Sequence, residues 1–384
     1  MNSNQNELQT PLAAGDRADF SIESGKVIIY RVYDVAEEID LARVEAILSE
    51  PQQGLRVRLD RTRRPSVLVR NEPIRLRVGE VNLRIGDRDY QAAVSATVLD
   101  YGVLSIALHL GIPSGTKMQS LLELAEAINR SGGDETEIDA VARKKAEDIT
   151  SQLSKAFKRP QLWEVSEDYV IYFLQKVNGV KLAADLLRAP ELAALLQGES
   201  RETLAGPTRD GILENRFQYA ENDLAVIDWN SAVVYEPSGQ MEIADVIEFA
   251  LTHLLEVRYY DDLLDHRLGE MYDEVEVRRS GVFQRRINQI VHEANSRYLE
   301  ISEIMERVDN SIKVVGDFYL AVIFRGAIRR FRVLDWQQSI TRKMNSIARV
   351  SELLQGEMNV RRSHMLEMIV IALIAFEVVG AFFR

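Results

Sequence analysis

Between residues 26 and 109 the sequence alternates apolar residues with arginine, and this pattern constrains the fold more than any other feature. The clearest runs are VIIYRVY at 27–33, IRLRV at 74–78 and VNLRI at 81–85. A period of two places apolar side chains on one face of a strand and charged side chains on the other. The pattern therefore predicts a sheet with one solvent-exposed face, and the helical spacing in 36–50 predicts a β-α-β-β opening.

Further along the chain, leucine spacing predicts a helix over 116–130, and Asp134 is expected to cap a second helix that runs to about 158. Strands are predicted at 169–177 and twice within 217–235. The character changes at the turn sequence EPSG (236–239), after which no strand pattern remains. We therefore expect a domain boundary at this point.

Long amphipathic helices are predicted after that boundary. Residues Ile243, Ala250, Val257, Leu264 and Met271 recur every seven positions. A second helix carries two heptad rows between 287 and 315, and a third is expected over 331–358. Such rows favour coiled-coil packing, either within one chain or between copies.

The last apolar run, 365–383, contains 19 residues and no lysine, arginine, asparagine, glutamine or proline. At about 1.5 Å per residue it is just long enough to span a bilayer. Arg361 and Arg362 precede it, which predicts that the bulk of the protein stays on the cytoplasmic side. Glu367 and Glu377 oppose insertion, so Glu377 is expected to face protein or water rather than lipid, either packed between subunits or as a protonated hydrogen-bond donor.

The amino-acid composition restricts the classes of function that the chain can have. The chain has no cysteine, which excludes disulfides and thiolate chemistry and favours a reducing compartment. The formal net charge is -12, so binding to a polyanion would have to be local. No secretory or transit signal is visible at the start, and we interpret the first 25 residues as a flexible cytosolic tail.

Taken together, these patterns predict an α+β fold. An N-terminal mixed α/β domain is followed by long antiparallel helices in a coiled-coil bundle and by one C-terminal transmembrane helix. The predicted segments are a flexible tail (1–25), an α+β domain (26–237), a helical coiled-coil arm (238–360) and a transmembrane helix (365–383).

Several of these residues resemble a known family. The C-terminal stretches 332–354, 362–367 and 376–379, together with the LDYGVL sequence at 99–104, resemble the family named for being required for meiotic nuclear division. Its eukaryotic members include a mitochondrial inner-membrane protein that supports mitochondrial translation. The resemblance implies an α+β domain, a coiled-coil arm with one membrane span, homo-oligomerisation and no known catalytic residues. Met368 departs from the family pattern, which has an aromatic residue there.

Two local patterns could carry other chemistry. Between Arg56 and Arg88 there are ten arginines and four acidic residues, a local excess of positive charge that could bind RNA, a ribosome or anionic lipid. The candidate polyanion-binding residues are Arg56, Arg58, Arg61, Arg63 and Arg64. The alternative is that these arginines pair with acidic helices of the same protein.

The sequence DDLLD at 261–265 matches the magnesium-binding string of prenyl-diphosphate synthases, since carboxylates at i and i+4 share a helix face. The second acidic motif of such enzymes is missing. The loop 111–117 is one residue short of a phosphate-binding loop and is better explained as an ordinary strand-to-helix turn. We therefore predict no metal, no cofactor, no catalytic residue and no small-molecule substrate.

The sequence thus predicts a protein that is not an enzyme. We expect a tail-anchored, homo-oligomeric scaffold in the inner (cytoplasmic) membrane, in which Glu367, Glu377, Arg361 and Arg362 serve membrane insertion or assembly. It would link translation or another cytoplasmic assembly to the membrane. The alternatives are a module that binds RNA or the ribosome through the arginine-rich sheet face, and a magnesium-dependent enzyme acting on a diphosphate.

Overall fold

A computed structural model of the protein describes residues 20–49, 58–59, 72–129, 136–160, 163, 165–199, 204–276, 299 and 318–382. The fold is mixed α+β with a large sheet. The strands are β1 (Ser21–Asp34), β2 (Ala36–Ile39), β3 (Arg58–Leu59), β4 (Ile74–Ile85), β5 (Arg88–Val98), β6 (Val103–Gly111), β7 (Thr116–Lys117), β8 (Phe157–Pro160), β9 (Glu167–Asn178), β10 (Arg216–Phe217), β11 (Leu224–Ile227) and β12 (Ser231–Tyr235). The helices are α1 (Leu41–Ser49), α2 (Met118–Asn129), α3 (Glu137–Gln152), α4 (Glu191–Gln197), α5 (Gly206–Glu214), α6 (Glu242–Glu276), α7 (Phe318–Arg330) and α8 (Val333–Phe382), with short 3-10 helices at Ser154–Ala156 and Ala183–Arg188.

The main sheet has ten strands. Its order is β10-β11-β12-β9-β1-β6-β5-β4-β3, with β7 beside the start of β1, while β2 and β8 form a separate pair. Among the described pairs of the main sheet, β9 and β12 run parallel and the others antiparallel. A parallel pair needs a crossover connection, and the helical segment between β9 and β12 supplies it.

The central strand β1 is buried without interruption from Val27 to Asp34. Helices cover both faces of the sheet at this strand, so its sequence is a continuous apolar run with a single arginine. Strand β4 lies near the edge, where its burial alternates and Arg77 and Arg84 are exposed. The period-two pattern therefore survives only where one face of the sheet is open to solvent.

One face of the sheet carries the largest apolar core. Alternate residues of β1, among them Val27, Ile29 and Tyr33, contribute to it together with Leu121 of α2 and Ala142 of α3. Helix α3 begins with a capping box in which Thr136 and Asp139 exchange hydrogen bonds. Thr136 is therefore the cap of this helix, and Asp134, which was predicted to cap it, lies outside the described residues.

The other face of the sheet is covered by the first part of α6 and by α7. The rings of Phe249 on α6 and Phe324 on α7 lie 5.7 Å apart. On β9, the ring of Tyr169 meets that of Phe331 edge-on at 5.2 Å, and its hydroxyl donates a hydrogen bond to the carbonyl oxygen of Asp228. Helix α7 was not anticipated as an element of its own.

The chain divides into two compact units. Unit 1 comprises Met1–Leu255 and Asn310–Arg332, and unit 2 comprises Glu256–Asp309 and Val333–Arg384. The boundary expected at 237/238 does not coincide with this division. The physical reason is that α6 up to Leu255 packs on the sheet, although its sequence is helical rather than strand-like.

The prediction of a transmembrane helix at 365–383 is wrong. Within the described part of the chain, no helix is long and apolar enough to cross a membrane. Residues 365–382 are the last part of the helix α8. Glu367 and Glu377 leave only nine uninterrupted apolar residues between them, about half of the ~20 that a span needs. The predicted tail anchor and the single-pass inner-membrane location are corrected with it.

The predicted helical arm is described only in part. Helix α6 contains the first predicted heptad row, but from Ile243 to Val257 it is buried at every position rather than along one stripe. The second predicted helix, 287–315, lies outside the described residues except Leu299. The third predicted helix and the predicted span are one continuous helix, α8.

Candidate functional site

The most unusual surface in the described part of the chain is a segment of α8 that is apolar and exposed. Leucine, isoleucine, valine and methionine favour a continuous helix here because neither glycine nor proline interrupts the run. The exposed apolar side chains are Leu366, Met368, Ile369, Val370, Ile371, Leu373 and Ile374. Their exposed fractions range from 49% to 67%. We call residues 366–374 the apolar segment.

The earlier part of the same helix behaves differently. Ile340, Met344 and Ile347 are spaced at i, i+4 and i+7 and are buried. They form one stripe, as expected of an amphipathic helix packed on its own protein. In the apolar segment no such stripe exists, because apolar side chains are exposed at nearly every position. A helix that is apolar on all sides is normally covered on all sides.

The predicted assembly residues lie on or beside this segment. The side chain of Glu367 is exposed, and its Oε2 is 3.3 Å from Nδ1 of His364. Arg361, Arg362 and Glu377 belong to α8, but their side chains lie outside the described part. Sequence reasoning found the segment through its apolar run and assigned it to a membrane, whereas no helix in the described part of the chain is long and apolar enough to cross one.

An ionic cluster lies in unit 2, at the acidic string 261–265, where Asp261 is buried and Asp265 is exposed. The Nζ atom of Lys343 on α8 is 2.8 Å from Oδ1 of Asp261 and 2.5 Å from Oδ2 of Asp265. The ammonium group also donates a hydrogen bond of 3.0 Å to the carbonyl oxygen of Asp261. A magnesium ion bound between these two carboxylates would have to displace it.

Among the described residues, no group of three or more acidic or histidine side chains is placed to hold a metal ion. The magnesium-dependent enzyme therefore gains no support from this cluster. Lys343 was missed from the sequence because it is about 80 residues from its partners, and no local pattern signals such a distant pairing.

The arginine-rich stretch is described only from Glu72 onward, apart from the backbone of β3, which contains Arg58. Arg56, Arg61, Arg63 and Arg64 lie outside the described residues. Arg75 points into unit 1, where its Nη2 is 2.8 Å from Oδ2 of the buried Asp245 on α6. Part of the arginine pattern therefore pairs with an acidic helix of the same protein.

A second buried carboxylate lies beside the Arg75–Asp245 pair. Glu248, one turn after Asp245, is buried, and the loss of solvent raises the pKa of its carboxyl group although Arg75 acts in the opposite direction. For Arg75 itself, burial opposes the charge, but Asp245 and Glu248 raise the pKa above its ordinary value. The guanidinium of Arg75 therefore stays protonated and pairs with a buried carboxylate inside unit 1.

Residues 111–117 connect β6 to α2 through a turn and the short strand β7. Strand β6 ends at Gly111, and the Thr116 hydroxyl donates a hydrogen bond of 2.6 Å to the Pro113 carbonyl oxygen two residues before α2 begins. Its amide groups are used in part by the turn itself, since the Thr116 amide also donates to Pro113.

Comparison with known proteins gives one family. Residues 24–242 match the family model described as "Uncharacterized protein MJ0711, N-terminal domain", which is more than half of the chain. The match covers the sheet and ends where α6 begins.

The chain is also similar to the uncharacterized protein MJ0711 of Methanocaldococcus jannaschii. The two are 20% identical over 171 residues, which is 44% of this chain and 52% of the relative. The chain thus spans about half the length of the relative that it matches. No solved structure matches. Neither match names the meiotic-nuclear-division family, so that resemblance stays a prediction.

Proposed function

The chain belongs to the MJ0711 N-terminal domain family, and from that premise we propose that it is a homo-oligomeric scaffold that assembles through the apolar segment 366–374. The observation that carries the proposal is the exposure of seven large apolar side chains on one stretch of helix. Monomeric proteins rarely expose contiguous apolar patches larger than a few hundred Å² unless the patch binds something. The family domain would then be the part that the assembly displays.

A second copy of the chain is the partner that fits this surface. Most soluble oligomers are symmetric homo-oligomers, in which the same patch of two copies is self-complementary. Completing the burial of a half-exposed Leu or Ile contributes about 1 kcal/mol, so seven side chains from each of two copies can offset an association cost of ~4–15 kcal/mol. Glu367 lies near the start of the segment, where it can stay at a wet rim.

The test is to place charges inside the proposed interface. Ile369 and Leu373 are one turn apart on the same face of α8. We expect Ile369→Asp/Leu373→Asp to weaken self-association at least about tenfold, because each carboxylate would be buried without a partner. Sedimentation equilibrium of the full chain measures the change in mean mass.

Leu334→Asp is the matched control. Leu334 is 50% exposed on the same helix, and an aspartate is tolerated in the first turn of a helix. This variant should keep the wild-type mass. Circular dichroism should show unchanged helix content in both variants, since all three positions are exposed. A monomeric wild type, in particular one that sediments with lipid vesicles instead, would overturn the proposal.

A further inference from the structure

A cavity of about 970 Å³ lies in unit 1 beside the start of β9, on the face of the sheet that carries the largest core. Its lining includes side chains from β1, α3, β9, α4 and the turn before β12. They include Arg31, Asp139, Asp168, Gln197, Trp229 and Asn230. Cavities of roughly 300–1,000 Å³ are the usual size for small-molecule sites. The oligomer proposed above does not use this cavity.

The buried arginine in the cavity wall is already neutralised. Nε of Arg31 is 2.6 Å from Oδ1 of Asp139, and Nη1 donates a hydrogen bond of 3.0 Å to the Tyr30 carbonyl oxygen. Burial opposes the ionisation of Asp139, but the charge of Arg31 and hydrogen bonds from Thr136 and Arg31 outweigh it and lower the pKa. The pair stays ionised and contributes no net charge to the cavity.

The rest of the described lining is negative. Outside the Arg31–Asp139 pair, it carries three carboxylates, those of Glu126, Asp168 and Glu199, and no basic side chain. Asp168 and Glu199 are exposed, and neither forms an ion pair with a described residue. A cleft lined by one sign of charge concentrates ligands of the opposite sign. The cavity therefore favours a cation.

The C-terminal ends of two helices add to the negative potential of the cavity. Helix α2 ends at Asn129 and α4 at Gln197, both in the cavity wall. Neither helix has a basic residue in its last turn. The C-terminus of a helix carries a partial negative charge and favours a positive group nearby. Two such ends therefore face the cavity without a cation on their own helices.

Two further groups suit an amine in particular. Trp229 is 63% exposed at the cavity, and an indole ring is the best aromatic partner for a cation. In the next residue, Oδ1 of Asn230 is buried and accepts no hydrogen bond within the described part of the chain. If the amide group of Asn230 turns so that its oxygen faces the cavity, an N–H donor on a ligand would supply the bond that this acceptor requires.

We propose that this cavity binds a small organic polycation of the polyamine type. Amine groups would pair with Asp168 and Glu199, rest against the Trp229 ring and donate to Asn230. This combination needs a flexible ligand with more than one positive charge, because the partners lie on different walls of the cavity.

The experiment is calorimetric titration of the full chain with spermidine. We expect one saturable site, and we expect Asp168→Asn and Glu199→Gln each to raise the Kd at least about fivefold. Glu214→Gln is the matched control, since Glu214 is exposed on α5 outside the cavity and its loss changes the net charge equally. It should leave the Kd unchanged.

Trp229→Ala separates a built site from general attraction to an acidic protein. This change leaves the net charge at -12, so non-specific binding would not respond. We expect the Kd to rise about fivefold or more through the lost ring contact. Equal affinity in all variants, equal weakening by Glu214→Gln, or preferential binding of an anion such as glutamate would each overturn the proposal.

Discussion

At the scale of single residues, the buried carboxyl groups facing Arg75 decide how the stability of unit 1 depends on pH. Asp245 forms the direct ion pair at 2.8 Å, and Glu248 is a second acid in the same interior. Removing one partner of a buried pair is costly, because the other charge remains in a medium that solvates it poorly. The two acids therefore differ in role. Asp245 forms the ion pair with Arg75, whereas burial favours the protonated form of Glu248.

Glu248→Gln tests this difference. The pKa of Glu248 is raised in the folded protein above its ordinary value of 4.5, so the folded state binds the proton more tightly than the unfolded state does. Its stabilising contribution is complete below about pH 4.5 and is lost as the pH rises through the folded pKa. Glutamine cannot ionise. We therefore expect the unfolding free energy of the variant, relative to wild type, to increase with pH above 4.5.

Urea unfolding across a pH series measures this difference. The exposed Glu214→Gln serves as the control and should follow the wild-type profile. A difference between Glu248→Gln and wild type that does not change with pH would contradict the assignment.

At the scale of elements, the turn between β5 and β6 fixes how β1 continues into β2. Gly102 has a φ of +93°, and its carbonyl oxygen accepts a hydrogen bond of 2.9 Å from the Val35 amide. A Cβ at this position would overlap the carbonyl oxygen of Ala36. Gly102 thus meets two separate requirements, a left-handed backbone and a close approach of two chain segments.

Gly102→Ala is therefore expected to destabilise the protein by about 2 kcal/mol or more, through backbone strain together with the overlap. Gly111→Ala, at the other end of β6, is the matched control because nothing lies within 4 Å of its added Cβ. Thermal unfolding of the two variants makes the comparison. Equal stability would show that the turn can rearrange without loss.

At the scale of the whole molecule, the response to salt separates assembly through apolar contacts from binding through arginines. Strongly hydrated salts such as sulfate strengthen the burial of apolar surface. They screen the attraction between basic side chains and phosphates, so polyanion binding weakens steeply. The apolar segment and the arginine-rich stretch therefore predict opposite trends.

We expect the self-association constant to hold or rise as sodium sulfate is added. Sedimentation equilibrium follows the mean mass, and fluorescence anisotropy of a labelled RNA in the same series follows the alternative function. Dissociation of the assembly at high sulfate would contradict an apolar interface. Salt-sensitive RNA binding that leaves the mass unchanged would support the arginine-rich face instead.

Local patterns in the sequence determined the elements that depend on near neighbours. The alternation over 74–85 became β4 and the leucine spacing over 116–130 became α2, because each pattern reports which side of a strand or helix meets the core. The heptad positions of α6 found the helix but not its packing, because residues 243–257 are buried at every position.

Tertiary structure decided what depends on residues far apart in the chain. The pairing of Arg75 with Asp245, the place of Lys343 between two aspartates and the cavity beside β9 each join segments that are dozens to over a hundred residues apart. A local sequence pattern does not indicate which distant residue will pair with a given side chain. The apolar run at 366–374 shows the same limit, because hydropathy indicates that a surface avoids water but not what covers that surface.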